Sequence, residues 1–75
     1  MKKIKEFLNP SDFRMNYQNN NLNILNYDEI ILLTDTKILI KKDNKIITVS
    51  GYDLTLLKLL DFEILIHGNI KTIEL

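Results

Sequence analysis

From Leu22 onward the chain is a series of short apolar runs, broken at closely spaced polar positions. Asn26-Tyr27-Asp28 ends the first run, Asp35-Thr36 the second, Asp43-Asn44 the third, Ser50-Gly51 the fourth and His67-Gly68-Asn69 the last. Gly, Asn and Asp accept positive φ or bond their own backbone, so each break marks a turn or a bulge. Between the breaks, apolar residues recur with period two: Ile38 with Ile40, Ile47 with Val49, Leu54 with Leu56, Ile64 with Ile66. Residues two apart share one face of a strand. The pattern predicts an all-β domain over 22–75, an antiparallel meander of about five to seven short strands forming a small sandwich or roll. Asp43-Asn44, between Lys42 and Lys45, is the expected tight hairpin turn.

Two places carry a glycine inside a strand pattern: Val49-Ser50-Gly51-Tyr52-Asp53-Leu54 and Ile66-His67-Gly68-Asn69-Ile70. Such glycines mark bulges, bends or close backbone approach, so two sharp bends are expected to fold one long ribbon onto itself. Two runs do not alternate, Ile30-Ile31-Leu32-Leu33 and Leu56-Leu57-Lys58-Leu59-Leu60. Strands apolar on both sides are expected to be covered on both, by sandwich packing or by contact with another molecule. Residues 1–21 read differently. They are polar and basic, with Lys2, Lys3, Lys5 and Arg14 against Glu6 and Asp12, a net of +2 that leaves −2 for the remainder. Ile4 and Leu8 lie four apart and leave room for a short helix over Lys2–Leu8, stopped at Asn9-Pro10. Ser11 or Asp12 is placed to cap a further turn through Met15; the alternative is a frayed tail.

Composition narrows the class. At 75 residues this is one small domain, and a chain of this size buries only about 60% of the surface its unfolded form exposes. Isoleucine and leucine make up a third of it and alanine is absent, which favours sheet. Ten basic residues balance ten acidic ones, against the strongly basic footprint of a nucleic-acid binder. The absence of cysteine excludes disulfides and thiolate zinc sites. No apolar run reaches the length of a membrane span, and the start lacks the pattern of a signal peptide, so a cytoplasmic protein is expected. Peripheral contact with a membrane stays open.

The candidates for chemistry are few. His67 is the single histidine, beside Gly68, and has no companion at metal-ligand spacing. Asp28, Glu29, Asp35, Asp43, Asp53, Asp61, Glu63 and Glu74 fall mostly at expected turns, and nothing in their spacing selects an acid–base pair. Ser11 and Ser50 are the only serines, and Ser50-Gly51 lacks the preceding glycine of a nucleophile elbow. The aromatics are Phe7, Phe13, Tyr17, Tyr27, Tyr52 and Phe62; acids beside Tyr27, Tyr52 and Phe62 oppose a phosphate backbone and favour core or rim packing. Lys41, Lys42 and Lys45 read as a solvated hairpin tip that also guards a strand edge. No catalytic, cofactor-binding or metal-binding residue emerges.

Taken as a whole, Ile24–Leu75 has a distinctive order: Ile24-x-Asn26-Tyr27-x-x-Ile30, then Thr34-Asp35-x-x-Ile38-x-Ile40, then Ile47-x-Val49-x-Gly51-x-x-Leu54-x-Leu56-x-x-Leu59, and finally Glu63-Ile64-x-Ile66-x-Gly68-x-Ile70-x-x-Ile73. This resembles the YabP/YqfC family of small sporulation proteins, most closely its shorter YqfC-like branch. The two glycine segments fit best. Asn44 departs from the pattern, standing where such sequences commonly carry glycine. The resemblance implies a non-enzymatic role in endospore formation, without cofactor or metal, in the sporulating cell and on the mother-cell side of the forming spore. It also implies work through contacts with another sporulation protein, or through self-association at strand edges. The alternative is an Sm-like RNA-binding β-barrel, since Ile64–Asn69 resembles the second motif of that fold. The first motif is missing after Gly51, and the zero net charge weighs against nucleic acid.

Overall fold

The computed structural model describes residues 12–75. Six strands form one antiparallel sheet: β1 (Arg14–Gln18), β2 (Asn21–Leu25), β3 (Glu29–Leu33), β4 (Lys37–Lys42), β5 (Lys45–Leu59) and β6 (Glu63–Glu74). Their spatial order is β1-β2-β6-β5-β4-β3. The described residues are all-β, as the periodicity over 22–75 predicts, and no helix occurs among them. The expected helix over Lys2–Leu8 lies outside them. The helical turn expected through Met15 is replaced by β1. There Met15 and Tyr17 stand opposite Ile24 and Leu22, and pairing with β2 outweighs a weak cap signal.

Two hairpins are made by asparagine and aspartate rather than glycine. Asn19 and Asn20 have φ of 53° and 63°, and Asp43 and Asn44 have 52° and 65°. Each pair is the two-residue loop of a hairpin closed by Gln18↔Asn21 or Lys42↔Lys45. Positive φ at both central residues is the turn whose twist matches the flanking strands, and Asn and Asp tolerate it best after glycine. Asn44 therefore supplies the conformation that glycine would.

β5 and β6 form the long central ribbon, and Gly51 and Gly68 bend it without ending either strand. Its register shifts between Ser50 and Gly51, between Tyr52 and Thr55, and between Leu56 and Lys58. At Gly68, φ is 148°, and a Cβ there would sit 2.7 Å from the Asp53 carbonyl oxygen. A Cβ on Gly51 would fall on the Asn69 carbonyl oxygen. The two backbones thus cross where neither can carry a side chain. At the bend β5 also takes new partners: Gly51 N–H donates to Thr36 O and Leu54 N–H to Asp35 O.

Connectivity shows why the sheet must roll. In a flat sheet four strand spacings, about 19 Å, would separate β2 from β3. The link Asn26–Asp28 allows four Cα steps from Leu25 to Glu29, about 14 Å at most. Bending brings Leu22, Ile24, Ile64 and Ile66 of one half against Ile38, Ile40 and Val49 of the other, in one cluster with Tyr27 and Leu54. No polar side chain is buried in it. Hydrogen bonds from Asn26 N–H to Phe62 O and from Asp28 N–H to Lys41 O fasten the link to both halves.

Candidate functional site

The residues with chemical potential are held apart. His67 is exposed in β6, one residue before the bend rather than in a turn, and its Nδ1–H donates to Asn21 Oδ1 at 2.7 Å. Ser50 lies within β5 opposite Lys37 and Thr72. Ser11 and Phe7 lie outside the described residues. Among those described, no three His, Asp or Glu side chains are grouped to hold a metal ion.

The carboxylates that have partners work structurally. Asp28 accepts the Asp43 backbone N–H at 2.8 Å and faces Lys42 Nζ at 3.6 Å. That backbone bond, with Lys42 beside it, lowers the Asp28 pKa from its ordinary value. The lysine hairpin tip is therefore tied to the β2–β3 link through Lys42. Glu63 accepts Asn23 Nδ2 at 2.8 Å and faces Lys58 Nζ at 3.6 Å on the outer face. A shallow groove of about 300 Å³ runs between Phe13, the Lys42–Lys45 turn and Leu75. It is open to solvent, and Lys42, Asp43 and Lys45 line it beside Phe13, Ile47 and Leu75.

The aromatics divide. Tyr27 is core, and its hydroxyl donates to Leu60 O at 2.8 Å; burial, with a smaller effect from Asp61, raises its pKa. Phe13 packs against the core from outside. Tyr17, Tyr52 and Phe62 are exposed instead of rim-packed, with Lys71 Nζ 5.7 Å above the Tyr52 ring.

The feature that stands out is apolar surface. Among the described residues eleven large hydrophobic side chains are exposed and ten hydrophobic residues are buried. The exposed ones concentrate in the two runs that fail to alternate: Ile31, Leu32 and Leu33 in β3, and Leu57 and Leu59 at the end of β5, with Leu60 and Phe62 just beyond. Sandwich packing, expected as one way to cover them, does not occur. The reason is topological: β3 is the outermost strand on its side, and beyond Leu54 β5 has a neighbour only in β6. Phe62 was not legible as part of this surface, because its membership depends on the turn after Leu60. The lack of alternation at 30–33 and at 56–60 was the available signal for the rest.

These features define an open β-roll with a mixed outer face at β2 and β6, where Asn23, Glu63 and His67 stand among Leu25 and Leu65, and apolar rims at β3 and the β5–β6 turn. No family model, curated protein or solved structure matches the chain. No helix among the described residues is long and apolar enough to cross a membrane.

Proposed function

We propose that this chain is a non-enzymatic protein of endospore formation that acts through protein–protein contacts. The observation that carries the contact part is the exposure of Ile31, Leu32 and Leu33 on the edge strand β3, and of Leu57, Leu59, Leu60 and Phe62 at the end of β5, where β4 no longer pairs with it, and in the turn beyond. Contiguous exposed apolar patches larger than a few hundred Å² mark interaction sites, and free strand edges offer backbone groups to a partner. Support for the endospore part comes from the residue order of Ile24–Leu75 and its likeness to YabP/YqfC proteins. The proposed setting is the cytoplasm of the sporulating cell, on the mother-cell side, with another sporulation protein or a second copy as partner.

Deleting the gene in an endospore-forming host and counting heat-resistant spores tests the proposal. A marked loss of resistant spores, restored by the wild-type gene but not by a copy with Leu33→Ser and Leu60→Ser, is expected. Normal spore yield with normal germination would overturn it.

A further inference from the structure

We propose that the segment Ile4 to Leu8, which lies outside the described residues, docks in the mouth of the roll and completes its inner face. The mouth is the gap between β3 and the end of β5. Leu54 N–H donates to Asp35 O at one end of it, and the Tyr27 hydroxyl donates to Leu60 O at 2.8 Å at the other. A backbone bond closes the first end and a whole tyrosine side chain spans the second, so the Tyr27 end is the wider. Between these ties β3 has no strand beyond it, and β5 past Leu54 pairs with β6 alone.

Register shows that the inner face runs into this gap uncovered. Residues directly opposed in an antiparallel pair point to the same face. Leu33 stands opposite Ile38, and Leu59 opposite Ile64. Both of those isoleucines are fully buried. Leu33 and Leu59 therefore belong to the inner face, yet they are 46% and 57% exposed. Ile30 and Leu56, opposite Ile40 and Ile66, share that face and are only partly buried. The core lacks an apolar plug at this one opening.

Position, pattern and charge select the chain's own N-terminal segment as the plug. The Asp12 carbonyl accepts from the side chain of Asn26, the neighbour of Tyr27, so the described chain begins beside the wide end of the mouth. Leu8 is four Cα steps from Asp12, a reach of up to about 14 Å. Ile4, Phe7 and Leu8 are spaced three and four apart, which gathers them on one face of a helical turn. Asn9-Pro10 favours extended backbone between that turn and Asp12. Lys2, Lys3 and Lys5 against Glu6 give residues 1–11 a net charge of +2, and the zero total leaves −2 for residues 12–75. The tether also holds the segment at an effective concentration in the millimolar range, which favours it over a free partner. Docking there covers Leu33 and Leu59 alone of the exposed apolar residues, and does not rest on the contact reading above.

The chain has no cysteine, so an introduced pair reports proximity directly. In the folded full-length protein, Leu8→Cys with Leu59→Cys should form an intramolecular disulfide about tenfold faster than Leu8→Cys with Lys71→Cys, because the bond needs Cα atoms within about 7 Å. Lys71 lies farther along β6 than Ile64, the partner of Leu59, by roughly 20 Å. In urea that unfolds the chain the two rates should be alike. Phe7→Ser with Leu8→Ser should lower the urea midpoint by about 0.5 M. Circular dichroism confirms that each variant folds, and Leu33→Cys replaces Leu59→Cys if that one does not. Equal rates for the two pairs in the folded protein would overturn the proposal, as would a wild-type midpoint for the serine variant. Disulfides between chains in place of within them would also overturn it, by putting a second copy in the mouth.

Discussion

At Gly51 the Asn69 carbonyl oxygen occupies the space a Cβ would need, and at Gly68 the Asp53 carbonyl is close and φ lies at 148°. Both glycines are required by backbone approach rather than by local flexibility. Gly51→Ala has to push β6 away and is expected to cost about 2–4 kcal/mol, the range of overpacking and strain combined. Gly68→Ala adds unfavourable φ to a 2.7 Å contact and is expected to cost about 1–3 kcal/mol. Urea unfolding of the two variants measures both, and wild-type midpoints would show that the ribbon does not cross this tightly. Asp28 gives a pH-dependent counterpart. Its folded pKa lies below the ordinary value of 3.8, so the unfolded chain binds more protons around that pH. Its contribution is fully present above the ordinary pKa and is lost as pH falls through the folded one. The stability gap between wild type and Asp28→Asn should therefore be constant near neutral pH and shrink in acid.

Among the elements, the two asparagine-bearing hairpins make opposite points about how far sequence reaches. Asp43-Asn44 was legible because alternating Ile38, Ile40, Ile47 and Val49 flank it. Asn19-Asn20 uses the same turn chemistry with φ of 53° and 63°, yet it lay in a polar, basic segment read as a short helix or a tail. The alternation of Met15, Tyr17, Leu22 and Ile24 was present there, but β1 is almost wholly exposed and lacks an apolar run. The boundary drawn at residue 21 thus cut a hairpin in two. The bends at Gly51 and Gly68 were legible as bends, since glycine inside a strand pattern has few other meanings. That β5 and β6 run through them as single strands of 15 and 12 residues was not, because only register shows it. The true end of β5, at Leu59, carries neither glycine nor proline. The turn there is set instead by Leu60 N–H donating to Glu63 O and by Tyr27 below it. For the Asp43-Asn44 turn, Asn44→Gly should keep or raise the melting temperature, while Asn44→Val should cost about 1–2 kcal/mol, the penalty of a left-handed conformation for a branched residue. Equal melting temperatures for the two would count against the two-residue turn.

At the scale of the molecule, the roll encloses a core of ten hydrophobic residues among those described and leaves its rims bare. Period-two spacing pointed to Ile38, Ile40, Ile47, Val49, Leu54, Ile64 and Ile66 of the core, but not to Leu22 and Ile24, and Tyr27 stood at a break between runs. The rims were legible only as runs needing cover, since what covers a strand depends on which strands flank it. Folded protein at neutral pH is expected to enhance the fluorescence of an apolar dye such as ANS, and Leu57→Ser with Leu60→Ser should lower that signal while leaving the circular dichroism spectrum unchanged. A folded wild-type chain that leaves the dye dark would show that these side chains are covered. The strand order has one more consequence. β6 is the last of the six strands to leave the ribosome, yet it lies between β2 and β5. Until it emerges, the β1–β2 hairpin has nothing to dock against, and Leu22 and Ile24 stay wet. Folding of this chain is therefore held back until translation of its final strand, and a ribosome stalled before residue 63 should present a nascent chain that proteases cut freely.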